Sequence, residues 1–433
     1  MNNECGWLSL AGMSPPRGPL KGVEKADWLV VGAGITGLCA AHSLAELHPD
    51  ARIVILDRQR SAQGASARNS GFVVGHEQPG LAELVSEKGF AGYLDDSLIA
   101  REANGEVRRR IARHGIDCEF SDSGYYFAVR DPRKLERIDE RVETLRAVGA
   151  SAERLEGEAL ARKLGTRHYQ AGIWCGNGNA LMQPAKYVKG LLEALPANVT
   201  LYEETPITGL ERLANRSLRA VGPEGAVEAP RVLVCLNAFT SRIGIRDSGT
   251  FAMELSASLT RPLTDAEYQA LGGVEPWGVL STRPLGATVR LTADRRILMR
   301  NTAEYRRHDL SDRQLMTRRQ RHLEGLQRRF PWLREADIQY SWTGHLSASR
   351  SGQPYFAQVE EGLYAAAGCN GSGVTRGTLW GRLLAEMASG GDSHLLRMVL
   401  RRAQPGWIPP SPFFDIGASL RMGYEACRAG TEA

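Results

Sequence analysis

A strand–turn–helix near the start of the chain constrains the fold more than any other feature. The sequence ADWLVVGAGITGLCAAHSLAEL (Ala26–Leu47) passes from an apolar run into a helix with small and apolar residues on one face. Gly32, Gly34 and Gly37 form G-x-G-x-x-G at the turn. Glycines at these positions permit a tight bend, close approach of the backbone to a pyrophosphate, and close helix–strand packing. The pattern predicts a dinucleotide-binding α/β unit.

A second strand supports this prediction. ARIVILD ends on Asp57, twenty residues beyond Gly37, where a carboxylate can accept hydrogen bonds from a ribose diol. The helix that begins near Ile35 and Thr36 offers free N–H groups and its positive dipole end to the phosphates. We therefore expect these residues, the three glycines and Arg58 to contact the cofactor.

The next loop, Gly64–Gly71 (GASARNSG), has almost no side-chain bulk, as if its backbone passed close to a large flat group. Ala65 and Ser66 offer donors to phosphate or ribityl oxygens, and Arg68 can neutralise phosphate charge or lie beside a ring. Asn69 has both a donor and an acceptor for the edge of a heterocycle. On composition alone, a flexible surface loop is the alternative.

Composition excludes several classes of protein. The 433 residues suit two domains, and the net charge of +5 is too small and dispersed to indicate nucleic-acid binding. The seven cysteines form no C-x-x-C pair, so we expect free thiols in a cytoplasmic protein, with no metal site. The N-terminus lacks the pattern of a secretion signal, and no segment approaches the ~20 apolar residues of a membrane span. Peripheral membrane contact stays open.

The loop GASARNSG resembles the G-A-S-G-R-N-G-G flavin-contact loop of FAD-dependent amine oxidoreductases in the glycine oxidase/D-amino-acid oxidase (DAO) superfamily, in particular γ-glutamylputrescine oxidase-like members. Ala67 and Ser70 stand where that loop has glycines. The resemblance implies FAD as the cofactor, and it adds Ser70 and Gly71 to the contacts. No cysteine aligns with the position that some members use for covalent flavin, so we expect non-covalent FAD.

Two later segments are also similar to this family. GCNGSG and the helix after it resemble the family's closing strand–G-x-x-G-x-G–helix, whose helix N-terminus points at the flavin N1/C2=O edge. A helix N-terminus is favourable at that position, because its positive dipole end stabilises the negative charge that reduced flavin carries near N1. Val199–Leu213 resembles the strand whose backbone contacts the adenine, and Ile207 is the residue that best matches the contacting position. The matching positions of the closing segment are Gly368, Gly371, Ser372, Gly373, Val374 and Thr375.

The resemblance covers nearly the whole chain and implies interleaved domains. The fold class that we predict is α/β (α+β overall), with an FAD-binding Rossmann-like domain and a second, mixed-sheet substrate domain. The expected parts are residues 1–25 as an N-terminal arm, 26–80, 179–245 and 341–390 as the FAD-binding domain, 81–178 and 246–340 as the substrate domain, and 391–433 as a C-terminal tail over the surface.

The family chemistry implies oxidation of a C–N bond by hydride transfer to flavin N5, giving an imine. The substrate would be a small amine or amino acid: a polyamine derivative, a cyclic imino acid such as pipecolate or proline, or a D-amino acid. Candidates for contacts to the substrate are His345, Arg350, Arg300 and Arg376, since each follows or ends an element expected near the flavin.

The chain also departs from the sarcosine-oxidase-type members. Their carboxylate-binding Arg and Lys align with Gly71 and Thr375, and no lysine follows Lys189 to assist oxygen reduction. Either an arginine or a histidine takes the place of these missing residues, or the flavin passes its electrons to a carrier other than oxygen. Three alternatives remain: a non-catalytic or regulatory flavoprotein, a flavin-dependent monooxygenase, which typically has Gly-Asp-Ala where this chain has GCNGSG, and an NAD-dependent dehydrogenase. The oligomeric state is open.

Overall fold

The computed structural model describes residues 3–245, 249–283, 285–306 and 309–433. The strands are β1 (Gly22–Lys25), β2 (Trp28–Val31), β3 (Ile53–Leu56), β4 (Phe72–Val73), β5 (Tyr125–Val129), β6 (Ala152–Glu156), β7 (Ala171–Cys175), β8 (Ala180–Leu181), β9 (Val199–Tyr202), β10 (Gly209–Arg212), β11 (Leu218–Val221), β12 (Gly225–Ala229), β13 (Arg231–Val234), β14 (Thr250–Thr260), β15 (Trp277–Leu280), β16 (Thr288–Leu291), β17 (Ile297–Tyr305), β18 (Ile338–Ser349), β19 (Tyr355–Glu360) and β20 (Leu363–Ala367).

The helices are α1 (Gly6–Ala11), α2 (Ile35–Leu47), α3 (Ala65–Arg68), α4 (Leu81–Val85), α5 (Glu87–His114), α6 (Ile138–Ala147), α7 (Gly157–Leu164), α8 (Pro184–Glu193), α9 (Asp265–Ala270), α10 (Asp312–Arg329), α11 (Gly373–Ala388), α12 (His394–Leu400) and α13 (Phe413–Ala429). Short 3₁₀ turns cover Pro132–Lys134, Asn237–Ile243, Glu335–Asp337 and Gly430–Glu432.

A six-stranded sheet of order β19-β20-β13-β2-β3-β9 carries the glycine turn. Its strands run parallel except β19, which pairs antiparallel with β20 at the edge. Every residue of β2 and β3 is buried, which explains their continuous apolar sequences, since a parallel sheet is covered on both faces. In such a sheet, ligands bind beyond the carboxyl ends of the strands, and the glycine turn lies directly after β2.

Helices α2 and α11 pack closely against each other, because small residues lie at their contact. A Cβ added at Gly381 would lie 2.4 Å from the carbonyl oxygen of Thr36. The two segments that resemble family motifs, more than three hundred residues apart in the sequence, therefore form one packed unit.

An eight-stranded mixed sheet of order β18-β14-β17-β16-β15-β5-β7-β6 forms the second large layer. The β5–β15 pair is parallel and the other pairs are antiparallel. Helix α10 packs on β17 and β14, with Leu323 and Leu326 in the same buried cluster as Met299. A smaller sheet, β1-β12-β11-β10, and the short pair β4-β8 complete the structure. The predicted fold class is confirmed.

Helix α10 begins at Asp312, because residues 304–305 belong to β17 and Ser311 caps the helix together with Gln314. One predicted element differs in its bounds. The adenine strand expected over Val199–Leu213 divides into β9 and β10, which lie in different sheets.

The division into domains stays a proposal, and two of its parts need adjustment. Residue 341 falls inside β18, which belongs entirely to the eight-stranded sheet, so we propose a boundary after Ser349. The C-terminal part forms two helices, and α13 packs on the large sheet. Tyr305 donates a hydrogen bond to Asp415 at 2.7 Å, and the ring of Phe414 contacts those of Tyr305 and Phe251.

No helix among the described residues is long and apolar enough to cross a membrane. All seven cysteines are free thiols, six of them buried, as the scattered spacing predicts.

Candidate functional site

A cavity of about 1730 Å³ is lined by residues from both large sheets and from α13. It receives the ends of β2, β3 and β13, the loop Gly64–Gly71, the closing glycine loop, and strands β14, β17 and β18. Predicted site residues that line it are Gly32, Gly34, Ile35, Thr36, Asp57, Arg58, Ala65, Ser66, Arg68, Asn69, Ser70, Ile207, Arg300, His345, Arg350, Gly371, Gly373 and Val374. Those that lie behind the lining are Gly37, Gly71, Gly368, Ser372, Thr375 and Arg376.

The three glycines of the first turn have different steric environments. Gly32 has φ +106°, and a Cβ there would lie 2.7 Å from the carbonyl oxygen of Cys235. A Cβ at Gly37 would lie 1.8 Å from the carbonyl oxygen of Gly32, so Gly37 serves helix–strand packing. Gly34 lines the cavity, and its Cβ would lie 2.8 Å from Ser66 Oγ.

Asp57 follows β3 and accepts backbone hydrogen bonds on both carboxylate oxygens. The amide of Ala33 donates to Oδ2 and that of Gln59 to Oδ1, each at 2.8 Å. Burial raises the pKa of Asp57, and these two hydrogen bonds partly oppose that effect. Each oxygen retains acceptor capacity, so the carboxylate can still accept a hydrogen bond from a ribose hydroxyl.

Arg68 fastens the loop after β3 to the large sheet. Its guanidinium donates to the carbonyl oxygens of Gln63 at 2.8 Å and Thr343 at 3.1 Å, while Trp342 Nε1 donates to the Arg68 carbonyl at 3.0 Å. No carboxylate among the described residues lies within 4.0 Å of this guanidinium. Its positive charge therefore remains available to a phosphate in the cavity.

Asn69 folds back on its own loop. Its side-chain amide donates to the Ser66 carbonyl at 2.7 Å, and its Oδ1 accepts from the Gly71 amide at 2.9 Å. The side chain thus holds the course of the loop, and any contact of Asn69 with a heterocycle stays a prediction.

Arg290 supports the same loop from the large sheet, and the sequence analysis did not identify it. Its Nη1 donates to the carbonyl oxygens of Met182 at 2.5 Å and Ser70 at 3.2 Å, and its guanidinium lies 5.5 Å from the Trp7 ring. Burial lowers the pKa of Arg290 to about 10. The only signal in the sequence is one arginine between Val289 and Leu291 in β16.

The closing glycine loop is held by Glu77, which the sequence analysis also missed. Glu77 Oε1 accepts hydrogen bonds from Ser372 Oγ and from Arg376 Nη2, both at 2.8 Å. Arg376 also donates to the Cys369 carbonyl at 3.2 Å, so its contacts lie within the loop rather than in the cavity. A contact of Arg376 with the substrate stays an untested prediction.

Two long helices begin at the cavity, and neither N-cap residue caps its helix with its own side chain. The N-cap residues are Gly34 for α2 and Ser372 for α11, and the first residues of both helices line the cavity. First-turn amides and the positive ends of two helix dipoles suit phosphate groups and an electron-rich ring. Together with the space at Gly34, these features fit FAD: α2 would hold its pyrophosphate, Asp57 its ribose, and α11 its ring.

Arg300 is a partly buried cation in the part of the cavity lined by the large sheet. Its Nη1 donates to the Gly286 carbonyl at 3.2 Å and its Nη2 to Thr288 Oγ1. No carboxylate of the described residues lies within 4.0 Å of it. Desolvation lowers the pKa of Arg300 to about 10, which still leaves it protonated near neutral pH. A partly desolvated charge without a counter-ion is unfavourable, so this position favours an anionic ligand group.

His345 and Arg350 also line the cavity but are less isolated from solvent. His345 Nε2 lies 3.0 Å from Oδ1 of the exposed Asp309, and its ring meets the edge of Phe239. Arg350 is exposed on the turn after β18. Their contacts with substrate stay predictions.

The fold and the cavity define a dinucleotide-binding α/β protein whose site fits FAD. Residues 27–387 match the family model described as FAD dependent oxidoreductase (DAO). The chain belongs to this family. This assignment confirms the resemblance and the FAD-dependent class, and it argues against the NAD-dependent dehydrogenase considered above.

Individual relatives agree with this assignment. The chain is 28% identical over 376 residues to gamma-glutamylputrescine oxidoreductase of Escherichia coli (strain K12), which covers 84% of each chain. It is 28% identical over 396 residues to a probable oxidoreductase OrdL of Rhizobium meliloti, covering 89% of each chain. Its fold is similar to glycine oxidase from Geobacillus kaustophilus, with TM-score 0.72, 17% identity, and coverage of 88% of this chain and 99% of that one.

Proposed function

We propose that this FAD-dependent oxidoreductase oxidises the C–N bond of an amino acid or amine that carries a carboxylate, giving an imine. The observation that supports the carboxylate is Arg300, a partly buried cation that lines the cavity and has no acidic partner among the described residues. The named relatives, gamma-glutamylputrescine oxidoreductase and glycine oxidase, support the C–N bond as the site of oxidation.

FAD, when bound, would accept a hydride from the carbon next to the nitrogen. The chain's own residues would bind and orient the substrate. Arg300 would pair with its carboxylate while Thr288 and the Gly286 carbonyl hold the guanidinium in place. Fixing one end of the substrate in this way aims its reacting C–H bond and reduces the entropy lost at the transition state.

Two finer predictions belong to this proposal. FAD would be held without a covalent bond, so denaturation in acid should release all flavin from the protein. This test concerns Cys369 in particular, because this residue of the closing glycine loop lines the cavity. The cytoplasmic location predicted from the cysteines stays part of the proposal, supported by seven free thiols.

An anaerobic flavin titration tests the proposed function. Purified, FAD-loaded protein is mixed without oxygen with amino acids and amines, and the visible flavin absorbance is followed. Each amino acid is paired with its carboxamide, which keeps the amine and removes the negative charge. We expect bleaching by at least one amino acid and much weaker bleaching by its amide. Bleaching only by amines without a carboxylate would refute the role of Arg300, and no bleaching by any C–N substrate would refute the function.

A further inference from the structure

The C-terminal part of the chain presents an unusual concentration of large apolar side chains to solvent. Trp407, in the loop before α13, is 71% exposed. Four residues of α13 join it: Phe413 at 72%, Ile416 at 57%, Leu420 at 71% and Tyr424 at 53%. We call these five residues the outer apolar face.

The spacing of the four helical residues places them along one side of α13, since they recur every three or four positions. The residues beside them, Gly417 and Gly423, leave this side without charge. The adjoining side lines the cavity through Phe414, Ala418 and Met422, and Phe413 of the outer apolar face also lines the cavity. A surface helix normally directs polar residues outward, so α13 has an apolar face without a partner among the described residues.

The exposed charged side chains of residues 396–433 are all arginines, namely Arg397, Arg401, Arg421 and Arg428. Two of them are paired with acids, Arg397 with the exposed Asp392 at 2.8 Å and Arg421 with the buried Glu425 at 2.5 Å. Arg401 and Arg428 have no carboxylate within 4.0 Å among the described residues. The remaining acids of the segment are engaged internally, since Glu432 is buried and Asp415 accepts from Tyr305 and Ser411.

We propose that the outer apolar face docks on an anionic lipid surface. Amphipathic helices lie in the membrane interface when large apolar residues cover one side and arginines flank it. Trp407 and Tyr424 suit the headgroup level, where an aromatic ring meets both apolar and polar surroundings. The guanidinium of Arg428 lies 5.6 Å from the Tyr424 ring, beside the face, where it can reach a lipid phosphate. Arg421 lies 5.7 Å from the same ring, but it is paired with Glu425.

Charge favours lipid over a second copy of the chain as the occupant. A symmetric dimer through this face would bring the same arginines of both copies together, and like charges repel. An anionic membrane instead neutralises them. Because Phe413 and the adjoining side of α13 line the cavity, docking would place this part of the cavity close to the lipid surface.

Vesicle sedimentation of the full-length, FAD-loaded protein tests this proposal. One vesicle is pure phosphatidylcholine, and the other is an equimolar mixture of phosphatidylcholine and phosphatidylglycerol. The test variant is Ile416→Glu with Leu420→Glu. The matched control is Val23→Glu with Val85→Glu, two exposed apolar residues at 58% and 65% outside this segment. Light scattering gives the mass of each protein in solution, and flavin absorbance verifies folding.

We expect the wild type and the control to sediment with anionic vesicles, less so at high salt, and much less with neutral ones. The test variant should lose roughly tenfold or more in vesicle affinity while keeping its flavin. Arg401→Gln with Arg428→Gln should weaken binding and its salt dependence. Equal sedimentation of wild type and test variant, or none with either vesicle, would overturn the proposal. A dimeric wild type that the test variant converts to a monomer would also overturn it, in favour of a second copy.

Discussion

The hydroxyl of Ser66 accepts a 2.9 Å hydrogen bond from the backbone amide of Ile35, and so joins the loop after β3 to the first turn of α2. This contact occupies one donor at the helix N-terminus, directly beside Gly34. The glycine turn and the loop therefore form one continuous surface of the cavity, although thirty-one residues separate the two partners.

Replacing Gly34 with valine should abolish FAD retention. Its Cβ would lie 2.8 Å from Ser66 Oγ and project into the space assigned to the pyrophosphate. Flavin absorbance per protein after desalting measures the effect. Gly18→Val is the matched control, because no atom of the described part of the chain lies within 4 Å of the added Cβ. A Gly34→Val protein that stays yellow and fully loaded would remove the pyrophosphate from this position.

Replacing Arg300 with glutamine should lower kcat/KM for carboxylate substrates by roughly 30-fold or more, or about 2 kcal/mol, because a buried ion pair with the substrate is lost. The matching carboxamides should be affected far less. Steady-state kinetics on both substrate series measure the difference. An equal loss on acids and amides would show that the substitution acts through the structure of the cavity rather than through charge.

Replacing Arg350 with alanine should mainly raise KM for carboxylate substrates, and by less than the change at Arg300. Arg350 is exposed on its turn, where solvent weakens its interaction with an anion. The two variants are compared in the same kinetic assay. Unchanged kinetics on every carboxylate substrate would exclude Arg350 from the binding site.

Replacing Arg290 with methionine should reduce both stability and flavin affinity. The buried carbonyls of Ser70 and Met182 would lose their donor, at about 1–3 kcal/mol for each buried polar group left unsatisfied. Urea unfolding and flavin titration measure the two effects. Arg295→Met in the same hairpin is the control, since its side chain is 43% exposed and pairs with Asp265. An Arg290→Met variant that matches this control would argue against a role in holding the loop.

Three buried histidines should make the protein less stable as the pH falls. Burial lowers the pKa of His42 to about 4 and those of His168 and His322 to about 3. The unfolded chain, with histidine pKa near 6.5, binds more protons, so stability is lost as pH falls below about 6.5, on the order of 1.4 kcal/mol per pH unit and histidine.

Urea unfolding at about pH 7 and about pH 5 measures this dependence. His42→Gln should reduce the loss between the two values, because glutamine keeps a donor for the Leu191 carbonyl and does not titrate. The exposed His394→Gln should leave the loss unchanged. An undiminished loss in His42→Gln would show that other groups cause the dependence.

The local features of the site could be predicted from the sequence, because their physical requirements lie within a few residues. Gly32, Gly34 and Gly37 are fixed by turn geometry, and the low bulk of Gly64–Gly71 reflects close approach to the cavity. The general fold followed from the same segments together with family resemblance.

The supporting contacts could not be predicted in this way, because they join distant parts of the chain. Arg290 reaches a loop 220 residues away, and Glu77 holds Arg376 from 299 residues away. No periodicity or spacing in the sequence encodes such pairs. For the same reason Arg300, one of four candidates in the sequence, gained its importance only from its partial burial in the cavity together with the absence of an acidic partner among the described residues.

The strand order of the six-stranded sheet has a consequence for synthesis of the protein. Its central strand β2 begins at Trp28, while β20, paired with β13, ends at Ala367. A chain growing on the ribosome therefore exposes apolar strands of this sheet throughout most of its translation, before the last parallel partner emerges. Such partly completed sheets are prone to aggregate, so we expect folding in the cell to depend on chaperones that shield the nascent chain.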